Sequence, residues 1–495
     1  MGSIAAPKNV LIIGIGPHAR KNHLPVLLEE QATGRIGSLV GVDTTQSSSE
    51  VDAFNAGLGE KALPIFFVPP VEDTETSLPT TTCDTLDSLA HRYKVNGVLV
   101  STHPSVHRIF SEWAITRGLN VLLDKPLTVH RNCSTDTTEA ARIHEDFLKI
   151  ARLYDPKGRS ENLLLSVHCQ RRYHPAFLKM RDLIAEVTAK TNCPVTNIQS
   201  FHSDGQWRMP DELVDLSYHS YDCGYGKAAH SGYHFFDCVP WLLEAGESKG
   251  KEIDSATVHV HATRPNDFLG QLTPSDYDQI YPGSRASCVY EESELKSRME
   301  NFGEVDATVS VAFKSAGRTI TLGNITLLHN GFSQRGSFKP HQTDLYKGNG
   351  RVRHETHIIH QGPFQAIYFS SLQTNDGSST SGSMGSRDHI EINVFRNNVC
   401  YPIWEAHQHY DFSSLCLDGV KRESPTQAVA RRRSIKEFID FLHGDLDRTK
   451  AASDFMSHRR SSALMSAVYM SLAQQWNEDT SSVTVGFRRD EEGKP

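Results

Sequence analysis

The stretch Asn9-Val10-Leu11-Ile12-Ile13-Gly14-Ile15-Gly16-Pro17-His18-Ala19 limits what this chain can fold into more than any other. Val10 to Ile13 is an unbroken apolar run, as a strand buried on both faces of a parallel sheet requires. Gly14, Gly16 and Ala19 then fit G-x-G-x-x-G/A, the turn that carries such a strand into a helix around a dinucleotide. The first glycine permits the bend. The second lets backbone approach a pyrophosphate, and the third small residue lets the helix pack on the strand. Pro17 suits a first helical turn, where its missing N–H is not needed. His18 to Glu30 reads as the helix, its positive end turned to the phosphates. A glycine turn joining any strand to any helix would look the same in isolation, so the neighbouring segments must decide.

Those segments alternate regularly. Ser38 to Asp43 reads as a second strand ending in a carboxylate. Asp43 is placed to accept hydrogen bonds from adenosine ribose hydroxyls, and Thr44-Thr45-Gln46 offers no arginine for a 2′-phosphate, which favours NAD over NADP. Val98 to Thr102 and Asn120 to Leu123 are further buried strands, with helices from Ser105 to Gly118 and from Ser134 to Tyr154. A loop from Asp155 to Asn162 leads to the strand Leu163 to Val167. Strands alternating with helices predict a doubly wound parallel sheet. Beyond about residue 170 the pattern changes to period two, as in Val195 to Phe201, Val305 to Phe313 and His389 to Phe395. Few helices intervene, so a large, mainly antiparallel open sheet is expected, joined by two late helices around Arg431 to Leu442 and Ser461 to Ala473. The fold class is therefore α/β, with a dinucleotide-binding domain over 1–170 and a second, open-sheet domain over 171–495, to which the family resemblance given below assigns substrate binding and oligomerisation.

At 495 residues the chain exceeds one ordinary core, in keeping with two domains. A formal charge of -8 without a long basic run argues against a general nucleic-acid surface. No stretch is apolar enough to span a bilayer, and no secretory signal precedes the first strand. The nine cysteines, Cys288 and Cys416 among them, are scattered with no C-x-x-C pair. Reduced thiols in a cytoplasmic protein are expected.

Three groups of residues could do chemistry. Asp124-Lys125-Pro126 falls at the C-terminal end of a parallel strand, where such sheets place ligands. A lysine there can stabilise developing negative charge on a substrate oxygen, although a surface Lys-Pro turn would read the same. The segment Gly224 to Asp237 is the densest polar cluster, with His230 and His234 four apart and on one face if helical. Either histidine could be a general base, and both could equally be satisfied core residues. His354, His357 and His360 lie in a region read as strand or loop, where an extended chain would split them between faces. No ligand set stands at metal-motif spacing, so no metal is expected.

In chain order these pieces resemble the glucose-fructose oxidoreductase / inositol dehydrogenase / rhizopine-catabolism (Gfo/Idh/MocA) family. The glycine turn is followed by Ser101-Thr102-His103-Pro104-Ser105-Val106-His107, similar to the family's T-P-N-x-x-H segment. Asp124-Lys125-Pro126 stands in place of E-K-P. Gln170-Arg171-Arg172-Tyr173-His174-Pro175 resembles R-[FY]-x-P, and Gly232 to Asp237 resembles G-x-H-x-x-D. The resemblance implies a Rossmann domain, an open-sheet second domain used for homo-oligomerisation, and hydride transfer between NAD(P) and a hydroxyl-bearing carbon of a sugar or cyclitol. It implies cofactor contacts from Gly14, Gly16, Pro17, His18, Ala19, Asp43, Thr102, His103, His107, Asp124, Lys125 and Arg172, with His107 and Arg172 at the nicotinamide end. Lys125 would orient substrate and stabilise its alkoxide, with His234 as acid/base.

One position departs from the family pattern. Where D-x-G-x-H is usual, the first residue is His230, which removes a fixed negative charge from the neighbourhood of His234. Either His230 serves as base or relay, or the chemistry differs. The expected function is an NAD-dependent oxidoreductase acting on a polyhydroxylated small molecule. The alternatives are a lyase or hydrolase that oxidises only transiently, and a non-catalytic nucleotide-binding regulator. Asp222 is one residue that could supply the missing carboxylate.

Overall fold

The computed structural model describes residues 6–155, 162–216, 219–283, 289–336, 350–374, 380–415, 426–479 and 481–487. Contacts divide the chain into two units, one of residues 1–129, 143–174 and 426–459, the other of 130–142, 175–425 and 460–495. The sequence division at residue 170 differs from this by the short segments 130–142 and 171–174 and by the return of 426–459.

In the first unit β1 (Lys8–Ile13) is buried from Val10 onward, which its apolar run dictates. It lies between β2 (Ile36–Thr44) and β4 (Gly97–Val100), and pairs with both in parallel. With β3 (Ile65–Val68), β5 (Asn120–Leu123) and β6 (Leu165–Val167) it forms a six-stranded sheet of order β3-β2-β1-β4-β5-β6, parallel throughout. The strand order reverses beside β1, and the crevice at such a switch point is where doubly wound sheets bind ligands. The expected first helix starts as a π-turn, Ala19–His23, and becomes α-helical only over Leu24–Ala32. The helix expected from Ser105 runs from His107 to Thr116 after a single 3-10 turn.

The helix Gln427–His443 completes this unit's core. Its Ile435, Phe438, Ile439 and Leu442 pack with Val10, Ile12, Leu27 and Leu99. Gly97 is glycine for this reason, because a Cβ there would stand 2.8 Å from Phe438 Cζ. Thr426 caps the helix start and Gly444, at φ +79°, ends it in the left-handed conformation. Arg35 pairs with Asp440 at 2.8 Å and with Asp445 at 3.1 Å, and Arg432 pairs with Glu29.

The second unit is built on nine strands: β7 (Asn197–Gln206), β8 (Ser255–Thr263), β9 (Asp306–Ser315), β10 (Arg318–Asn330), β11 (Val352–Gln361), β12 (Gln365–Thr374), β13 (Glu391–Arg396), β14 (His407–Asp411) and β15 (Val483–Gly486). Their order is β14-β13-β12-β11-β7-β10-β9-β8-β15. Every pair is antiparallel except β7 with β10. Period-two burial buries one face, where Phe177, Phe235 and Phe369 pack around His357. The other face leaves Tyr368 and Phe395 exposed, their rings 5.9 Å apart. No described helix is long and apolar enough to cross a membrane. None of the seven described cysteines is in a disulfide, while Cys288, Cys416 and most of the loop after Asp155 lie outside the described residues.

Candidate active site

In the first unit the glycine turn performs each of its three tasks visibly. Gly14 has φ +90°, and a Cβ on it would stand 2.4 Å from the Ser101 carbonyl oxygen, so only glycine fits. At Gly16 nothing lies within 4 Å of the Cβ position, which leaves bare backbone facing open space, as a pyrophosphate needs. Ala19 is fully buried in the core beneath the turn. Asp43 accepts the Ile15 N–H at 2.6 Å and the Thr44 N–H at 2.7 Å. Each carboxylate oxygen keeps capacity for a further donor, and the side chain is held at the end of β2 beside the turn. The residues present therefore fit a dinucleotide. Asp43 stands far along the sequence from the glycines because β2 is nine residues long.

Asp124, just past the end of β5, gathers its neighbours. Ser101 Oγ donates to it at 2.5 Å, His23 Nε2 lies 3.1 Å from both its oxygens, and His18 Nε2 lies 3.9 Å away. The His18, His23 and His168 rings meet edge-on, with centroids 5.0 and 4.8 Å apart in sequence order. Burial works to raise the Asp124 carboxyl, but the facing His23, hydrogen-bonded to it, holds it well below the usual carboxylate range. Burial lowers His18 to about 3, so that ring is neutral at physiological pH. Lys125 is half-buried, and its enclosure lowers the ammonium to about 8 against the opposing pull of Asp124. That value suits a lysine that donates to a substrate oxygen near neutral pH.

Other residues expected at the site from the sequence are engaged by the fold. His107 is buried, with Nδ1 2.9 Å from the Pro126 carbonyl and Nε2 3.1 Å from that of Thr102. It ties the two loops that present Thr102 and Lys125, and burial lowers its ring's basicity. Arg172 is also buried and donates to Ala452 O at 3.1 Å and to Ser457 Oγ at 2.5 Å, which anchors the returning segment. Thr102 is half-buried, and the exposed His103 bonds Ser105 Oγ at 2.8 Å.

In the second unit a π-turn, Ala228–Gly232, presents His230, and His234 follows in the helix Tyr233–Glu244. π-turns of this kind recur at functional sites. Two glycines set the turn against the strand entry opposite. A Cβ on Gly226 would stand 1.9 Å from the Glu304 carbonyl oxygen, and one on Gly303 2.0 Å from the Tyr225 carbonyl carbon. Glu304, fully buried, accepts the Ala228 N–H at 2.8 Å and the Tyr469 hydroxyl at 2.9 Å. Burial raises its carboxyl. His230 stacks on His219 at 4.7 Å and meets Tyr221 and Tyr225 edge-on.

Two further carboxylates of this region, Asp204 and Asp306, are strand residues. Asp204, at the end of β7, takes a 2.5 Å hydrogen bond from the buried Lys227 and pairs with Arg351 at 3.4 Å. Asp306 accepts the backbone N–H groups of His329 and Asn330, and burial raises it to about 6. Asp222, the sequence candidate, is exposed. Sequence reading missed Asp204, Asp306, Tyr221 and His329 because topology brings them together from separate segments. The only local signal was polar residues at strand ends. His354, His357 and His360 sit on β11, and His357 is buried against Ser200 Oγ at 2.8 Å and Glu355 at 3.2 Å.

Comparison with known proteins agrees with this geometry. Residues 8–152 match the oxidoreductase family with NAD-binding Rossmann fold known as Gfo/Idh/MocA. No curated protein sequence matches the chain. Among solved structures, levoglucosan dehydrogenase with NADH and levoglucosan is similar at TM-score 0.57 and 12% identity, covering 98% of this chain and 100% of that one. The WlbA dehydrogenase of Bordetella pertussis with NADH and UDP-GlcNAcA gives TM-score 0.55 and 13% identity over 99% and 100%. An oxidoreductase of Agrobacterium radiobacter with NAD+, L-tartaric acid and magnesium gives 0.53 and 13% over 97% and 98%. At such identities the likeness speaks for the fold. Over residues 8–152 the chain thus matches the NAD-binding Rossmann domain of the Gfo/Idh/MocA oxidoreductases.

Proposed function

We propose that the protein is a dehydrogenase that oxidises a hydroxyl-bearing carbon of a sugar, cyclitol or related polyhydroxylated compound. The observation that carries this reading is Lys125, a half-buried lysine lowered to about 8 at the C-terminal edge of a parallel strand beside the ionised Asp124. The substrate carbon loses hydride, its hydroxyl loses a proton, and a carbonyl remains. When bound, NAD supplies the acceptor for that hydride. Lys125 donates to the substrate oxygen and stabilises the negative charge it develops. His234 takes the hydroxyl proton, as its place in G-x-H-x-x-D implies. The Gly14–Gly16 turn holds the pyrophosphate and Asp43 the adenosine ribose. Support for a sugar-like substrate comes from structural relatives whose complexes contain levoglucosan and UDP-GlcNAcA. The test is a screen of sugars and cyclitols for NADH formation in the wild type and in Lys125→Met. A substrate whose turnover survives that substitution within a few-fold would overturn the assignment. We also propose a homo-oligomer formed through the open face of the second sheet, where Tyr368 and Phe395 are exposed.

A further inference from the structure

We infer that the second unit carries a carboxylate-binding subsite at the ends of β7 and β10, which makes an acidic sugar derivative the preferred substrate. The inference deepens the dehydrogenase reading and rests on it for the identity of the reaction. It comes from a group of buried hydrogen-bond donors with nothing to donate to among the described residues.

Arg208 is the centre. It follows β7, is only 2% exposed, and spends one Nη2 bond on Gln206 Oε1 at 3.2 Å. Its Nε and Nη1 have no hydrogen-bond partner among the described residues. The acid beside it, Glu212, is committed to Arg335 through contacts of 2.8 and 3.0 Å and to the Met209 N–H at 3.0 Å. Asn330, across the parallel pair in register with Gln206, accepts the Arg208 backbone N–H on Oδ1 at 3.1 Å. That contact fixes the amide orientation and makes Nδ2 a donor, which is also unpartnered there. The Tyr221 hydroxyl, on a fully buried residue, has no described partner, and neither does His329 Nε2. The Tyr221 ring lies 5.5 Å from those of both His329 and His230, so the group adjoins the histidine turn.

A buried donor left unmade is costly, and a buried guanidinium without an acid is more so. Sites of this kind are stable liabilities unless a ligand completes them. The chemistry of the completing group can be read from what is missing. Arg208 and Asn330 have donors left over, so the ligand brings acceptors. The surplus charge is the single cation of Arg208, since Lys227 and Arg351 are balanced by Asp204 and by Asp306, which also faces Lys227, and Arg335 by Glu212. One negative charge balances it. A phosphate monoester dianion would add a second charge next to Asp204, Asp306 and Glu212, which like-charge repulsion disfavours. A carboxylate is flat, singly charged and suited to an arginine fork flanked by neutral donors. Attached to a polyol, it describes an aldonic, uronic or carboxylated cyclitol acid.

The experiment is calorimetric titration of the NADH-loaded protein, which cannot turn over an alcohol, with glucuronate, galacturonate and gluconate. Glucose, galactose, the methyl ester of glucuronate and glucose 6-phosphate serve as counterparts. At least one acid should bind about tenfold or more tightly than its neutral counterpart, and Arg208→Gln should remove that preference while Arg208→Lys keeps part of it. Ligand-free Arg208→Gln should melt no lower than wild type, because it removes an unpaired buried charge. Equal binding of acids and esters, tighter binding of the sugar phosphate, no binding of any acid, or a melting temperature lowered by Arg208→Gln and restored by Arg208→Lys would each overturn the subsite. NADH formation, measured separately, tells the two readings apart. Acids that bind through Arg208 without yielding NADH leave the subsite standing and remove the dehydrogenase. Neutral sugars oxidised without acid preference do the reverse.

Discussion

Lys125 and His234 are the residues on which the proposed chemistry can be broken. Lys125→Met removes the donor to a developing alkoxide and should lower kcat by about 10²–10³ with the fold intact. His234→Asn removes the proton acceptor and should cost about 10²–10⁴. Both are read by steady-state NADH formation. The lysine also sets a pH limit. It carries its proton below about 8 and loses it above, so kcat/KM should decline as pH rises through that value, and the decline should vanish in Lys125→Met. Its effect on stability has the opposite sense. The folded value lies below the ordinary 10.5, so between about 8 and 10.5 the unfolded chain binds more protons and raising pH favours the fold. At this scale the sequence revealed what is local. The tasks of Gly14, Gly16 and Ala19 follow from the turn itself. The bonds of His107 and Arg172 do not, because the Pro126 carbonyl and Ser457 that they meet lie 19 and 285 residues away.

Elements carry the next predictions. Gly14→Ala and Gly16→Val separate folding from binding within one turn. The first forces an unfavourable φ and a 2.4 Å approach to Ser101 O, and should cost about 1–3 kcal/mol or more of stability. The second projects into open space, so the melting temperature should hold while NADH binding, followed by fluorescence, is lost. Strand and helix alternation made the first sheet legible, since apolar runs and glycine turns report their own neighbours. Two features had no such signal. The parallel pairing of β7 with β10 inside an otherwise antiparallel sheet depends on which strands meet, not on their residues. The helix Gln427–His443 announces an apolar stripe, but a stripe does not say which sheet it covers.

For the whole molecule, the open face of the nine-stranded sheet is where self-association should be tested. Tyr368→Asp with Phe395→Asp places charge on its exposed aromatic pair, and should shift the species seen by light scattering to a smaller one without loss of NADH binding. The clustering of Asp204, Tyr221, Arg208 and His329 was equally hidden in the sequence, since it exists only once β7, β9 and β10 lie side by side.

The returning helix has a further consequence, which concerns time. Ile435, Phe438, Ile439 and Leu442 belong to the same core as Val10 and Leu99, yet they are synthesised more than three hundred residues later. A ribosome that has released the six parallel strands has still not made the helix that covers them. The expected outcome is that the dinucleotide domain completes its core only after nearly the whole chain has been made. A fragment ending at residue 170 should melt without cooperativity. Supplying 426–459 as a separate peptide should restore a sharp transition.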